Sequence, residues 1–432
     1  MNDKLSGKVI RDPLWNAIKL DPTAVRIMDT AEFQRLRYIR QLGFTHLVYP
    51  GATHTRFDHA LGVYHLTTQA LRRLRDSGEI HPDAWHGEKL IPYAALLHDI
   101  GHYPFSHALE ELESEYVPTH HEEISKQFFA SPALRDALAS LGPTAPDLLL
   151  ELISGQSDIP LGGLVSGTLD LDKMEYLRRD AHFCGVPYGE VDVSRLLQGL
   201  TLLRDPDSGR YEIGVHEKAV AALESLLFAK YQMFRNVYWH HAVRAATCLY
   251  KRIVEEAVQS GLLGSHELIG PTDEELLHEI GRRAHEGDGA VAERIRTRWL
   301  PALRQRRLPK RALELTAADL AGRQVADWVV GSSLQKRRVE DDLALDLGLD
   351  PGEVVIDFPA NTAMFQLNVL VERRDGQVQR LGPEGLPGLL DLPRLAENLY
   401  TTARVLRVFT FERRSVIAEK ILAQVTRPNG TV

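Results

Sequence analysis

The pentapeptide His98-Asp99-Ile100-Gly101-His102 closes an apolar run from Leu90 to Leu97, so two imidazoles and a carboxylate stand where the chain leaves a buried segment. If a helix continued through this stretch, His98 and His102 would share one face, because residues four apart are neighbours on a helix. Nitrogen and oxygen donors gathered in this way suit a borderline divalent cation. Taken alone, such a pair is more often incidental than metal-binding, and the rest of the chain decides the interpretation.

Two further segments offer donors of the same kind. His59 precedes an apolar stretch, and Asp172 lies in Asp170-Leu171-Asp172-Lys173. Together with His98 and Asp99 they supply two imidazoles and two carboxylates, which would leave a bound dication almost neutral and able to accept phosphate oxygens. Each residue also has an ordinary alternative as a core histidine, a buried ion pair or an acidic residue at a helix N-terminus. The metal site is therefore predicted from the set rather than from any one member.

The order of these segments, His…His-Asp…Asp, resembles the HD phosphohydrolase superfamily. The flanking residues resemble one branch of it, the deoxynucleoside triphosphate (dNTP) triphosphohydrolases, which include animal enzymes that join an HD core to a sterile alpha motif. The resemblance is strong over residues 8–250 and faint beyond them. It rests on the motifs Val9-Ile10-Arg11-Asp12-Pro13, Phe33-Gln34-Arg35-Leu36-Arg37-Tyr38-Ile39, Gln41-Leu42-Gly43, Tyr49-Pro50-Gly51-Ala52, His54-Thr55-Arg56-Phe57-Asp58-His59, His98 to His107, and Leu171-Asp172-Lys173.

The resemblance implies a role for each residue that matches a family position. The metal ligands would be His59, His98, Asp99 and Asp172. The histidines around the scissile phosphate would be His102, His107 and His121, with His107 as general acid and Glu110 where its Asp partner is usual. Phosphate-contacting positions are matched by Arg56, Lys173 and Tyr176, and sugar-reading positions by Gln41, Leu42, Asp180 and Tyr238.

Elementary chemistry agrees with these roles. A triphosphate carries about four negative charges, so cationic side chains are needed beyond the metal to offset them. Water on a divalent metal is acidified toward neutrality, and a histidine titrates near working pH and can protonate the leaving oxygen. We therefore expect hydrolysis of a dNTP to the deoxynucleoside and inorganic triphosphate. The alternatives are an HD hydrolase of another nucleotide phosphate ester, or a nucleotide-sensing or nucleic-acid-binding protein. Mn, Mg, Fe, Zn or Ni would each suit such a site.

The resemblance also implies a nucleotide effector site at a subunit interface. Asp29, Gln34 and Arg37 match its base- and phosphate-reading positions, and dGTP or GTP would be the effector of a homo-oligomer, dimer or tetramer. Two residues depart from the family pattern, since Arg11 replaces the usual Asn and His241 the usual Lys. The alternative is that Asp29 and Arg37 form an ordinary surface pair.

A basic segment follows, with eight Lys or Arg and no acidic residue between Arg294 and Arg311. It is compatible with a solvated helix, a phosphate site at an interface, or a nucleic-acid contact. Trp299 is its only aromatic residue, so base stacking is poorly supported.

Composition and periodicity set the fold class. The chain has 432 residues, a net charge of −8 and two distant cysteines, which favours a soluble cytoplasmic protein without disulfides or membrane spans. Hairpins are predicted at 8–20, 202–215 and 369–381, the last with its turn at Asp375-Gly376, and a further strand at 404–411. Pro271-Thr272-Asp273-Glu274-Glu275 is typical of a helix N-terminus. Helices are predicted at 58–77, 90–98, 106–115, 121–129, 169–182 and 217–260. We expect a mainly α fold: a helical HD core over 1–264, a helical basic segment over 265–344, and an α/β subdomain over 345–432.

Overall fold

The computed structural model describes residues 7–78, 87–105, 107–113, 116–117, 121–359, 368–382, 385–386 and 392–428. It confirms the predicted fold class, a mainly helical protein with small sheets and a C-terminal α/β part. Among the described residues, no helix is long and apolar enough to cross a membrane.

The helices up to residue 264 are α1 Pro22–Met28, α2 Ala31–Gln34, α3 Arg56–Ser77, α4 Ile91–Leu97, α5 His107–Glu110, α6 His121–Phe129, α7 Pro132–Leu138, α8 Ala145–Ile153, α9 Gly163–Ser166, α10 Leu171–Cys184, α11 Val193–Gly199, α12 Val220–Met233 and α13 His241–Gln259. The later helices are α14 Asp273–Glu286, α15 Ala290–Arg294, α16 Leu300–Arg304, α17 Trp328–Gly331, α18 Ser333–Asp346, α19 Leu392–Ala403 and α20 Ala418–Val425. The strands are β1 Lys8–Asp12, β2 Asn16–Leu20, β3 Leu200–Arg204, β4 Tyr211–His216, β5 Lys310–Leu315, β6 Arg323–Val325, β7 Val354–Asp357, β8 Val369–Glu372, β9 Val378–Leu381, β10 Leu406–Thr410 and β11 Thr426–Pro428.

The long helix α3 is the centre of the first hydrophobic core. It packs against α4 and α10, so the three segments that carry the predicted metal donors are direct neighbours. The apolar face of α3 is buried along most of its length, from Phe57 through Leu74. The chain order of the donor segments is therefore converted into a single spatial cluster by helix packing.

The predicted hairpins are present, and one of them joins distant parts of the chain. β1 pairs with β2, and β3 pairs with β4, both antiparallel. The β8–β9 hairpin, which turns at the predicted Asp375-Gly376, lies parallel to β4 with Gly214 opposite Leu370. A separate sheet has the order β5-β10-β7 and carries the C-terminal core.

Two further hydrophobic cores follow the first. The second contains α13, α14 and α16 together with apolar residues between 103 and 124, and the third lies between α18, α20 and the β5-β10-β7 sheet. Buried contacts cross residues 264 and 344, where domain boundaries were predicted. Those boundaries remain a prediction.

Some predicted helices end elsewhere. The helix expected over 217–260 is interrupted, because a π-helical turn at Phe234–Tyr238 is followed by Trp239 and His240 before α13 begins. α4 ends at Leu97, so His98 and His102 lie on a turn and do not share a helical face. Of the helix expected over 106–115, the described part is helical only at His107–Glu110, and residues 106, 114 and 115 lie outside the described residues.

Candidate active site

The first donor segment is positioned by the N-terminus of α3. Thr55 and Asp58 form a capping box, in which the Thr55 amide donates to Asp58 Oδ2 over 2.9 Å. This cap satisfies amides that a helix N-terminus leaves without partners and fixes where the helix begins. Arg56 and His59, in the first turn, are thereby directed into the interior, and both are buried.

The candidate metal centre lies between α3, the end of α4 and the start of α10. His59 Nε2, His98 Nε2 and an Asp172 oxygen all lie within 4.8 Å of one another. His59 Nε2 is 2.8 Å and His98 Nε2 is 3.6 Å from Asp172 Oδ1. Neither Nε2 atom has a hydrogen-bond partner of acceptable geometry within the described part of the chain.

The opposite nitrogens of both rings are already engaged. His98 Nδ1 donates to the Ala95 carbonyl over 2.8 Å, and His59 Nδ1 lies 2.7 Å from Glu175 Oε2. Because a carbonyl only accepts, His98 keeps its proton on Nδ1 and presents a lone pair from Nε2 to the centre. This is the arrangement of imidazoles that ligate a metal, so the residues present fit a divalent cation.

Asp99, the fourth predicted ligand, lies beside this group with its carboxylate shared among three neighbours. Its Oδ2 accepts from Arg56 Nη1 over 2.6 Å, and its Oδ1 lies 2.9 Å from His102 Nε2 and 3.3 Å from His98 Nε2. Burial opposes its ionisation, but Arg56 and the two histidines hold the pKa of Asp99 well below its usual range. The carboxylate is therefore charged at neutral pH and close enough to take part in the centre.

The electrostatics of the cluster favour a bound positive charge. Burial alone would lower the pKa of His59, but Asp172 and Glu175 outweigh it and raise that pKa to about 10. The pKa of Asp172 is held well below its usual range, since contacts with His59 and His98 overcome the cost of burial. The carboxylates thus attract a cation strongly, whether it is a proton on imidazole or a metal ion.

A carboxylate that the sequence analysis missed supports the centre from behind. Glu175 is fully buried, and besides His59 it accepts from Trp15 Nε1 over 2.8 Å and from Arg179 Nε over 2.7 Å. Arg179 in turn lies 3.0 Å from Asp12 in the N-terminal hairpin. Helical spacing was the available signal, because residues 172, 175 and 179 fall on one face of α10.

Two of the three predicted phosphate-side histidines are joined by Glu110. His107 Nδ1 lies 2.8 Å from Glu110 Oε2, and His102 Nδ1 lies 3.3 Å from Glu110 Oε1. The side chain of His107 is 70% exposed, so it faces open space in front of the buried centre. Glu110 therefore occupies the position of the expected carboxylate partner. His121 begins α6, but its side chain lies outside the described residues.

Cationic side chains surround the centre. Arg56 contacts Asp99, as above, and the Lys173 ammonium donates to the Gly167 carbonyl over 3.2 Å and to Asp170. A further cation, which was not predicted from the sequence, is Lys230, a buried lysine on α12 whose pKa is lowered to about 8 by burial and by Lys173. A charged residue inside an otherwise apolar helical stretch was the signal that could have identified it.

The predicted sugar-reading residues form a second polar group. Asp180 accepts from the Tyr238 hydroxyl over 2.6 Å and lies 2.8 Å from His54 Nε2, a contact that the sequence did not predict. Gln41 is buried, and its Oε1 has no hydrogen-bond partner among the described residues. Leu42, next to it, is half-buried, as is Tyr176, whose pKa is raised well above its usual value by burial and by Asp172.

The predicted effector residues lie on the surface between the first two helices and α3. Gln34 Oε1 accepts from Arg37 Nε over 2.8 Å, and the Arg37 guanidinium lies 3.5 Å from the centre of the Phe57 ring. Asp29 instead pairs with Lys8 at 3.0 Å. The surface pair of Asp29 with Arg37, given above as the alternative, is not among the contacts of the described residues.

The basic segment divides into two parts. Arg296 and Arg298 pair with acidic neighbours, and Trp299 is fully buried, which removes it as a base-stacking surface. The later cations line a cavity of about 630 Å³ at the start of α13, together with the arginines that follow β10. Its basic lining residues are His241, Arg306, Lys310, Arg311, Arg413 and Arg414. Burial, followed by His241, Arg407 and Arg311, lowers the pKa of His240, beside the cavity, to about 4.

Comparison with known families agrees with this geometry. Residues 56–159 match the HD domain, and residues 191–384 match the HD associated region. The first match begins at Arg56, at the N-terminus of α3, and contains the His98-Asp99 pair.

Related proteins match over more than half of the chain. An uncharacterised protein of Methanocaldococcus jannaschii, MJ1154, is 35% identical over 266 residues, which are 62% of this chain and 53% of that protein. The deoxynucleoside triphosphate triphosphohydrolase SAMHD1 of Bos taurus is 32% identical over 268 residues, 54% of this chain and 44% of that protein. The chain thus spans about half the length of these relatives.

A solved structure extends the similarity to nearly the whole chain. The phosphohydrolase of Bacteroides thetaiotaomicron superposes with a TM-score of 0.71 and 22% identity, covering 94% of this chain and 100% of that one. At this identity the superposition shows a shared fold.

Proposed function

The chain belongs to the HD phosphohydrolase superfamily, with an HD domain followed by an HD associated region, and on that basis we propose that it is a metal-dependent dNTP triphosphohydrolase. The observation that carries the proposal is the arrangement of the donors. Ligand atoms of His59, His98 and Asp172 lie within 4.8 Å of one another. The hydrogen-bonded pair of His107 and Glu110 lies on the more exposed side of this group. SAMHD1, a relative at about one-third identity, bears the name of this activity.

The metal would be held by His59, His98 and Asp172, with Asp99 beside them. When bound, a divalent metal acidifies water and neutralises phosphate charge. Asp99 also fixes the Arg56 guanidinium and His102 through its two oxygens. The Arg56 guanidinium would then hold an oxygen of the phosphoryl group under attack, because it is a preorganised donor at the edge of the centre. His102, whose two nitrogens face Asp99 and Glu110, would lie beside that phosphate.

His107 would supply the proton that the leaving 5′ oxygen requires. Glu110 accepts from its Nδ1, which orients the ring and leaves Nε2 to face the substrate. Cleavage between the α-phosphorus and the sugar oxygen releases the deoxynucleoside and an intact triphosphate. His121 remains a proposed neighbour of this phosphate, on the strength of its sequence position alone.

The triphosphate and the sugar would occupy opposite sides of the centre. Arg56, Lys173 and Lys230 would offer three cationic side chains to a triphosphate that carries about four negative charges. On the other side, the Asp180–Tyr238 pair and the buried Gln41 oxygen offer polar groups to a deoxyribose. Tyr176 and Leu42 would pack against the nucleotide between them.

The proposal is tested by incubating purified protein with Mn²⁺ or Mg²⁺ and each dNTP, alone and with GTP or dGTP. We expect inorganic triphosphate and deoxynucleoside, resolved by chromatography, and loss of both products in His98→Ala. Release of phosphate or diphosphate would favour another phosphate-ester hydrolase. Wild-type protein that releases no product from any dNTP would overturn the proposal and favour a nucleotide-binding protein without this chemistry.

A nucleotide effector is a second candidate function, supported by the cationic cavity. A space of about 630 Å³ lined by five Lys or Arg residues and His241 suits a polyanion such as GTP or dGTP. Asp29, Gln34 and Arg37 would contribute from a neighbouring copy of the chain in a dimer or tetramer. Stimulation of dNTP hydrolysis by GTP, together with a GTP-dependent increase in molar mass in solution, tests both parts. Constant activity and mass at saturating GTP would contradict them.

A further inference from the structure

A largely buried group of four charged side chains includes Glu111, the residue that follows Glu110, the partner of the proposed proton donor His107. We call it the Arg244 clamp, and it consists of Glu111, Arg244, Lys251 and Asp357. Arg244 Nη1 and Nη2 donate to the two oxygens of Glu111 over 2.7 and 2.9 Å. Arg244 Nε and Nη2 donate to Asp357 over 3.0 and 2.6 Å. Lys251 Nζ donates to Glu111 over 2.9 Å.

The clamp is balanced in charge, and three of its four side chains are buried, whereas that of Glu111 is 26% exposed. Arg244 is 5% and Asp357 is 1% exposed, and two positive charges meet two negative ones. Burial alone would raise the pKa of Glu111, but Arg244 and Lys251 hold it far below its usual range, so the carboxylate stays ionised. A planar guanidinium that serves two carboxylates in bidentate fashion fixes both in position and direction.

The clamp joins three elements that are distant in sequence. Glu111 follows α5, Arg244 lies one turn into α13, and Asp357 ends β7 of the C-terminal sheet. Glu111 is the next residue after Glu110, whose carboxylate bridges His102 and His107. Fixing Glu111 therefore fixes the backbone from which Glu110 reaches the two histidines.

Helix α18 also contacts the chain just after Glu111. The Ser333 amide at the start of α18 donates to the Glu113 carboxylate, and Arg337 Nη2 donates to the Tyr116 hydroxyl over 2.9 Å. Residues 107–113, which include α5 and which we call the histidine loop, are thus held by contacts with α13 and with the start of α18. None of these contacts is local, so the position of the loop depends on the Arg244 clamp and on the first turns of α18.

We propose that Arg244 is a positioning residue, through which the C-terminal sheet sets the geometry of the His107–Glu110 pair. The proposal rests on the proposed function for its effect on catalysis, because it assigns no contact between Arg244 and substrate. Misplacing a reacting group by about 1 Å costs on the order of 100-fold in rate. Loss of the clamp should therefore lower kcat while leaving substrate affinity and metal affinity almost unchanged.

The test compares Arg244→Met with a matched control on the same helix. Arg252 is 4% exposed and bridges Glu256, Glu340 and Asp341. It therefore links α13 to a later part of α18 than Ser333 and Arg337, and it has no ion pair with residues 107–113 among the described contacts. Both variants lose a buried arginine and its ion pairs. We expect kcat for dNTP hydrolysis to fall about 100-fold in Arg244→Met, with KM and Mn²⁺ affinity within about twofold. Arg252→Met should keep kcat near wild type at temperatures well below its own unfolding.

Two milder variants remain informative if Arg244→Met does not fold. Glu111→Gln and Asp357→Asn keep the shapes of the side chains but remove one charge each. Among the described residues, the hydrogen bonds that connect the two carboxylates run through Arg244. Each should lower kcat, and their effects should be non-additive in the double variant, since either substitution already loosens the guanidinium. Additive effects would show that Arg244 transmits nothing between them.

Hydrogen exchange of the backbone amides of residues 107–113 tests the clamp independently of dNTP hydrolysis. Exchange should be faster in Arg244→Met and unchanged in Arg252→Met. If wild-type protein released no triphosphate while this exchange pattern held, the proposed function would fail and the clamp would stand. Unchanged exchange and unchanged kcat in Arg244→Met would overturn the clamp, as would an equal fall of kcat in the Arg252 control.

Discussion

Gly62 lies on α3 one turn after His59, and the absence of a side chain there makes room for the carboxylate of Glu175. A Cβ added at Gly62 would lie 1.9 Å from Glu175 Oε1 and 2.9 Å from Arg179 Nη2. Nonbonded atoms are favourable near 3.5 Å, so the carboxylate would have to retreat by about 1.5 Å. Gly62→Ala should therefore break the 2.7 Å contact between Glu175 and His59 Nδ1.

Two opposing effects set the magnitude for stability. Alanine in place of a helical glycine contributes about 1 kcal/mol through helix propensity. Separating the buried Glu175 and Arg179, both 0% exposed, costs about 3–5 kcal/mol, because a charge is left without its partner. The free energy of unfolding should fall by about 2–4 kcal/mol. Loss of the group that orients His59 should weaken divalent metal binding about 10- to 100-fold.

Denaturant unfolding and calorimetric titration with Mn²⁺ or Co²⁺ measure both quantities. Gly281→Ala is the matched control, since this glycine is also within a helix, α14, and its added Cβ would meet only a methyl group of Leu300 at 3.0 Å. The control should bind metal as the wild type does. If Gly62→Ala were as stable as the wild type and bound Mn²⁺ equally well, Glu175 would not be the support of His59.

Two further predictions concern buried charges. Lys230→Met should lower kcat/KM for a dNTP about 10- to 100-fold, the worth of a charged hydrogen bond, whereas exposed Lys89→Met should not. The unfolding free energy of Lys230→Met at pH 7 should not fall below that of the wild type. Burial already lowers the pKa of the lysine to about 8, so the charged form is costly in the folded state. A loss of stability with unchanged kcat/KM would show that Lys230 stabilises the core and does not bind substrate. Burial also raises the pKa of Asp273 from 3.8 to about 6, although its carboxylate accepts from the Arg40 and Phe105 amides. The folded state therefore binds the proton of the Asp273 carboxyl more tightly than the unfolded chain does. This binding stabilises the folded state below about pH 4, and the stabilisation is lost as pH rises through 6, which lowers the free energy of unfolding by about 3 kcal/mol. The difference in unfolding free energy between wild type and Asp273→Asn should fall across that window, and a constant difference would contradict the shift.

Local sequence was sufficient for features whose physics is local. The turn at Asp375-Gly376 is set by backbone conformations that favour glycine, and the acidic start of α14 is set by the needs of unpaired helix amides. His59, His98 and Asp172 could be predicted as candidate metal ligands because each lies at the end of a segment with a recognisable hydrophobic pattern. Their identity as one site came from their order along the chain, which no single segment reveals.

Other features depend on which segments pack together. Local pattern predicted one helix over 217–260, but the chain breaks at Trp239 and His240, where a π-helical turn precedes α13. The parallel pairing of β4 with β8 joins residues more than a hundred positions apart, and no pattern in either strand names its partner. Register of this kind is decided by the surfaces that meet, not by the propensity of a strand.

The pentapeptide at 98–102 shows most clearly which features follow from the sequence and which depend on the tertiary structure. Sequence alone placed donors at the end of an apolar run and predicted metal chemistry, because hydrophobic periodicity and ligand type are properties of the residues themselves. The resemblance gave His98 and His102 different roles, but only the tertiary structure supplies their geometry, with His98 in the donor group and His102 Nδ1 3.3 Å from Glu110. The tertiary structure alone brought Glu175 behind His59 and Arg244 behind Glu111. Buried ion pairs are decided by packing across distant segments, since a charge is retained in the interior only where a partner from elsewhere in the fold meets it.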